Sequence, residues 1–139
     1  MANTIHVDIV SAEGQIFSGE ATMVFAPGSQ GELGIAPRHA PLLTTLKAGE
    51  VRVQSEGQEE QSFYVGGGAL EIQPHLVTVL ADTAARARDL DEAAALAAKQ
   101  RAEDAVRNSR DKVDIAEAQA ELARVIAQLA LIARLRKKT

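Results

Sequence analysis

Few residues in this chain are placed to do chemistry. Its three histidines, His6, His39 and His75, lie far apart, and none belongs to a pair at metal-ligand spacing. Glu59 and Glu60 could act as an acid and a base only if their carboxyls shared a face. Neighbours on a strand point to opposite faces, so this pair cannot cooperate. Gly66-Gly67-Gly68 lacks the spacing of a dinucleotide fingerprint. Neither this triplet nor Gly28, Gly31 and Gly34 opens a helix whose N-terminus could hold a phosphate, and all of these glycines read as hairpin residues. There is no cysteine, which removes disulfides and thiolate chemistry, and no nucleophile motif is present. The chain by itself is predicted not to be an enzyme and to hold no metal.

Size and charge narrow the alternatives. The 139 residues leave room for a domain of about 90 residues, which buries roughly 60–65% of its unfolded surface, and for an appendage. No apolar run approaches the ~20 residues needed to cross a bilayer. The opening Met1-Ala2-Asn3-Thr4-Ile5-His6 lacks the basic and apolar regions of a signal peptide, so a soluble, cytoplasmic chain without membrane insertion is expected. Residues 1–88 carry ten acids against five bases, and residues 89–139 carry nine against ten. The last acid is Glu121, leaving Arg124, Arg134, Arg136, Lys137 and Lys138 beyond it with nothing to neutralise them. Such a basic end either complements its own helix dipole or meets an acidic partner. Nucleic acid does not fit an acidic chain whose only aromatics are Phe17, Phe25, Phe63 and Tyr64.

Two kinds of element must carry these residues. All ten glycines and all four prolines lie at or before Pro74, whereas 17 alanines lie between Ala84 and Ala133. Turn-formers therefore give way to helix-formers. Asp89-Leu90-Asp91-Glu92 sets an acceptor, Asp89, three residues before a Glu, the arrangement of a helix start, and Asp114 to Glu117 repeats it. Asn108 to Lys112 is a short polar turn between two helices. In the second helix Ile115, Ala118, Leu122, Val125, Leu129 and Ile132 form one stripe. The first helix offers Ala94, Ala95, Ala98, Ala102, Ala105 and Val106, and each buried Ala contributes ~2–5 kcal/mol less than a buried Leu. An ordinary antiparallel two-helix hairpin and one built to open both fit this pattern.

Before the hairpin, short alternating runs predict strands. Ile5, Val7 and Ile9 alternate with polar residues, as do Val51 and Val53, while Leu76 to Leu80 reads as a buried strand. Strands at this spacing predict an antiparallel sandwich or barrel of some ten strands over residues 1–88, followed by the hairpin over 89–139.

Residues 28–45 are the most distinctive stretch. Gly28-Ser29-Gln30-Gly31-Glu32-Leu33-Gly34-Ile35-Ala36-Pro37-Arg38-His39-Ala40-Pro41-Leu42-Leu43-Thr44 is too turned for a plain strand and presents Glu32, Arg38 and His39 from a stiff backbone. This segment closely resembles the epsilon subunit of bacterial F-type ATP synthase. So do Asp8 to Glu13 with Phe17-Ser18-Gly19, Leu70 to Pro74, Val77 to Ala84, and Asp89 to Ala93. The resemblance runs the length of the chain.

The resemblance implies a ten-stranded antiparallel β-sandwich with a helical hairpin, in agreement with the pattern of the residues. It implies a sandwich that binds the gamma subunit and rests on the c-ring through the loop from Gly31 to Pro41, with Glu32, Arg38 and His39 facing the ring. It further implies a non-catalytic rotor subunit, peripheral on the cytoplasmic face of the bacterial plasma membrane. The hairpin is expected to extend into the catalytic head, where the basic second helix, Arg124 to Lys138, meets the beta and alpha subunits and blocks ATP hydrolysis. Some members of the family bind ATP through a Leu-Asp-x-x-Arg-Ala motif. Here Leu90-Asp91-Glu92-Ala93-Ala94-Ala95 puts Ala94 where the arginine belongs, and a lost charged hydrogen bond costs ~1.5–3 kcal/mol. No cofactor is therefore expected, and Asp91 with Arg124 form at most a weak nucleotide site. A free-standing β-sandwich binding module with a coiled-coil-docking hairpin is the alternative from composition alone.

Overall fold

The structure, a computed structural model, describes residues 3–137. The chain divides into two compact units, Met1–Arg88 and Asp89–Thr139. In the first, eight strands follow one another: β1 (Ile5–Ser11), β2 (Gly14–Ala21), β3 (Met23–Gly28), β4 (Gly31–Ile35), β5 (Leu42–Gln54), β6 (Gln61–Gln73), β7 (Leu76–Ala81) and β8 (Ala84–Arg86). They pair in the order β2-β1-β7-β6-β5-β3-β4, with β8 on β6.

The two long strands make this one path into a sandwich. β5 and β6 keep a single antiparallel register from Leu42 opposite Ile72 to Val53 opposite Gln61. The side chains they bury nevertheless change parity along the ribbon. Leu46, Leu70 and Ile72 are buried at one end, and Val51, Val53, Phe63 and Val65 at the other. A strand has period two, so a change of parity means that the inward face has switched. At one end β6 pairs with β7, and at the other with β8. The ribbon thus belongs to both layers. Counting its halves separately gives the ten segments the sequence predicts, although the continuous strands number eight. One pairing, β1 with β7, is parallel, because most of the domain intervenes between these two strands and no tight turn joins them.

The switch falls at the glycine triplet, which lies inside β6 and is not a hairpin turn as the sequence suggested. Gly67 and Gly68 have φ of 100° and 138°, in the region that side chains disfavour. Between the layers, Ile5, Val7, Ile9, Val24, Ile35 and Phe63 are fully buried, each such burial stabilising by about 1.5–3 kcal/mol. The Phe17 ring tilts onto Phe63 at 5.2 Å between centroids. The strand reading of Leu76 to Leu80 needs correcting: Val77 and Val79 are buried, but Leu80 is 51% exposed. Glu59 and Glu60 lie in the loop before β6, not on a strand.

A short 3-10 turn (Ala87–Asp89) runs from the first unit into the second, where α1 spans Glu92–Asn108 and α2 spans Lys112–Lys137. The caps differ from those expected. Asp91, not Asp89, accepts from the Ala94 amide at 3.2 Å, since the 3-10 turn takes Asp89 out of reach. Likewise Asp111 accepts from the Val113 amide at 2.9 Å, starting α2 before Asp114. The stripe on α2 buries Ala118 and Val125, with Leu131 also buried. On α1 the packed positions are Ala95 and Ala102, flanked by half-buried Ala98 and Val106, whereas Ala94 and Ala105 are exposed.

Candidate functional site

The segment of residues 28–45 is more ordered than a loop. β3 and β4 close a tight hairpin with Gly28 opposite Gly31, and Glu32 stands opposite Pro27. Glu32 Oε1 accepts from Arg52 Nη2 at 2.7 Å. The Arg52 guanidinium lies 4.3 Å above the centre of the Phe25 ring, and its Nη1 is 3.6 Å from Glu60. Glu32 is thus held by an aromatic-backed arginine on its own layer. Arg38 and His39 sit together in the connector to β5. Arg38 adopts a positive φ of 67°, and its amide donates to Pro74 O at 2.9 Å, tying the connector to the turn between β6 and β7. His39 Nδ1 lies 2.7 Å from Ala40 O. No hydrogen bond or ion pair among the described residues joins Glu32 to Arg38 or His39, so the three divide into two places.

A broader surface escaped the sequence reading. On the outward face of one layer, Leu43, Glu71, Thr78, Asp8 and Ser18 form one row across five strands. In the next row Leu80 is flanked by Ala69 and Val10. Leu43 is 72% exposed and Leu80 51%. Large exposed aliphatics on one face, here in neighbouring rows with β6 between them, mark an interaction surface. Of the strands that form the face, β1, β2, β7 and residues 68–73 of β6 contain no Lys or Arg, while β5, which carries Leu43, adds the exposed Lys47. Their acids are Asp8, Glu20 and Glu71, and His6 lies between the first two, with Nδ1 2.6 Å from Glu20 and Nε2 3.0 Å from Asp8. The alternation of His6-Val7-Asp8 and Ser18-Gly19-Glu20 was visible in the sequence. Only the β1–β2 register, which sets His6 opposite Glu20 and Asp8 opposite Ser18, unites them.

The basic end of α2 is not left unneutralised. Arg124 Nη2 donates to Glu121 at 2.7 Å, and Arg136 pairs with Glu92 in the first turn of α1. That second pair is possible because the start of α1 lies beside the end of α2 in an antiparallel hairpin. Arg134 is half-buried, Lys137 is exposed, and Lys138 lies outside the described residues. Asp91 caps α1 while Arg124 holds Glu121, so each of the two nucleotide-site candidates has a partner other than the other. No group of three or more His, Asp or Glu among the described residues is arranged to hold a metal ion. No helix among them is long and apolar enough to cross a membrane.

The fold is that of a sandwich-and-hairpin protein. The β-sandwich domain of ATP synthase delta/epsilon chains matches residues 4–87, and the long alpha-helix domain of the same chains matches residues 88–133. The ATP synthase epsilon chain of Nitrosococcus oceani is 65% identical over 138 residues, covering 99% of each chain. That of Alkalilimnicola ehrlichii is 62% identical over 136 residues, 98% of this chain and 97% of the other. The chain belongs to the ATP synthase delta/epsilon family, among the bacterial F-type epsilon subunits. Among solved structures, a chain of the Euglena gracilis mitochondrial ATP synthase (OSCP, F1 and c-ring) superposes with a TM-score of 0.81 at 17% identity, over 92% of this chain and 81% of that one. A chain of the Tetrahymena thermophila enzyme (central stalk and c-ring) does so with a TM-score of 0.63 at 10% identity, over 94% and 95%. Both establish the fold alone.

Proposed function

We propose that this chain is a non-catalytic central-stalk subunit of a proton-translocating ATP synthase. It is bound to the gamma subunit through the outward face around Leu43 and Leu80, turns with the c-ring, and lies peripherally on the cytoplasmic side of the bacterial plasma membrane. The observation that carries the docking reading is that face: exposed Leu43 and Leu80 beside Asp8 and Glu71, with β1, β2 and β7 free of Lys and Arg and Lys47 on the flanking β5. Burial of the leucines supplies affinity, and the acids select a partner with cationic side chains. Arg38 and His39, on a connector anchored to Pro74, are the c-ring contacts, and Glu32 on β4 is a separate one.

The hairpin is an intrinsic inhibitor of ATP hydrolysis that changes between compact and extended states, the extended one reaching the beta and alpha subunits. Its support is the thin contact face of α1, made of Ala95, Ala98 and Ala102, together with the basic last turn of α2. The exposed Arg136–Glu92 pair adds little to closure, since such pairs contribute ~0–1 kcal/mol. ATP does not set the state of this hairpin, because Ala94 supplies no guanidinium and Asp91 and Arg124 have other partners.

A tagged chain expressed in its own cells should co-purify gamma and the catalytic head. Leu80→Asp should fold, as judged by an unchanged melting temperature, and lose gamma. Full retention of gamma by that variant would refute the assignment of the face.

A further inference from the structure

His6 stands on the rim of the outward face, and both of its ring nitrogens meet acceptors. Nδ1 lies 2.6 Å from Glu20 Oε2. Nε2 lies 3.0 Å from Asp8 Oδ1 and 3.1 Å from Ser18 Oγ. The Ser18 hydroxyl itself donates to the same Asp8 oxygen at 2.8 Å, and Thr4 donates to the other oxygen of Glu20 at 2.9 Å. A neutral imidazole has one N–H and one lone pair, so it would turn that lone pair toward a carboxylate on one side. Only the imidazolium donates to both. The hydrogen bond donated to Glu20 accordingly raises the His6 pKa above its ordinary 6.5, against a smaller opposing effect of burial and with help from Asp8.

We propose that His6, Asp8 and Glu20 form a proton-operated charge element on the rim of the docking face, which sets how tightly a partner bearing Lys or Arg is held there. The inference rests on the reading that this face is where the gamma subunit docks. With the imidazolium in place the three groups sum to one negative charge; without its proton they sum to two. Among the described residues, His75 is a second titratable group beside β1, and β8, packed on β1 and β2, brings Arg86, whose guanidinium donates to Ile16 O at 3.2 Å and Gln61 Oε1 at 3.5 Å rather than to this cluster. From β7, uncharged Leu76 stands opposite His6, and from the turn before it the His75 carbonyl accepts the His6 amide at 3.0 Å. From β2 come only Ser18 and Glu20, and β1, β2 and β7 contain no Lys or Arg. A cationic partner is therefore held more tightly as pH rises through the His6 titration. By linkage, its binding expels the proton.

The test measures affinity of the full chain for the purified gamma subunit at two pH values that bracket the His6 titration as read by NMR, at constant ionic strength. The unmodified chain should bind about two- to fivefold tighter at the higher pH, as expected for one exposed charge, and His6→Gln should bind equally at both. The same pH dependence in His6→Gln would overturn the inference. In the free chain, the His6 ring followed by NMR should titrate above 6.5 and return toward that value in Glu20→Gln. A ring titrating at or below it in the unmodified chain would also overturn the inference. Leu80→Asp separates the two readings. If it leaves gamma binding unchanged, the docking face is wrong; if it abolishes binding while His6→Gln keeps the pH dependence, only the role of His6 is.

Discussion

Gly68 lies so close to β7 that a Cβ built on it would stand 2.1 Å from Leu80 O. The atoms it would meet are all backbone of Leu80 and Ala81, with no flexible end to yield, and φ of 138° is itself unfavourable for a side chain. Gly68→Ala should therefore cost more than ~3 kcal/mol or prevent folding, by forcing β6 and β7 apart where the ribbon changes layers. A melting temperature within a few degrees of the unmodified chain would mean that the crossing is not built this way. Gly57→Ala also meets a positive φ, 74°, but at an open turn where nothing lies within 4 Å, so it is the control for the close approach and should be milder.

The His6–Glu20 pair also ties β1 to β2, and its contribution to stability has a defined pH window. The His6 pKa is raised from 6.5, chiefly by Glu20, so its contribution is complete below that pH and is lost as pH rises through the folded value. Glu20 is lowered from 4.5, chiefly by the bond with His6 and then by Thr4, so its contribution is complete above 4.5 and is lost on acidification below that. Thermal melts of the unmodified chain should be highest between these limits and decline modestly toward alkaline pH. Glu20→Gln should flatten that decline. An identical alkaline decline in Glu20→Gln would assign it to other groups.

The pattern of side chains announced some of this and concealed the rest, for physical reasons. The stripe on α2 is a local, period-3.6 signal and buries as expected around Ala118 and Val125. β1 alternates as expected, with Ile5, Val7 and Ile9 inside. What stayed hidden depends on pairing between distant residues. The parity change in β5 and β6 cannot be seen in either strand alone, and Leu80 looked buried because its neighbours Val77 and Val79 are. The partner of Arg136 lies 44 residues away in Glu92, which counting charges along the tail could not reveal. For the helix cap the spacing pointed to Asp89, and the 3-10 turn, which the local pattern did not show, gives the role to Asp91.

Ala94 is exposed in the first turn of α1, so an arginine fits there without displacing anything. If the missing guanidinium is what removes ATP binding, Ala94→Arg should bind ATP measurably in calorimetry, with a gain of no more than about 3 kcal/mol. Absence of any gain would show that the retained partners of Asp91 and Arg124 also have to be released.

Ending the chain at Arg88 removes the second compact unit and leaves the first whole. ATP hydrolysis by the purified synthase, assembled with the shortened chain, is the most direct test of a sandwich that docks and a hairpin that inhibits. The shortened chain should remain in the complex at full stoichiometry while hydrolysis rises above that of the unmodified enzyme. Loss of the chain from the complex, or hydrolysis unchanged with the chain present, would contradict this division of labour.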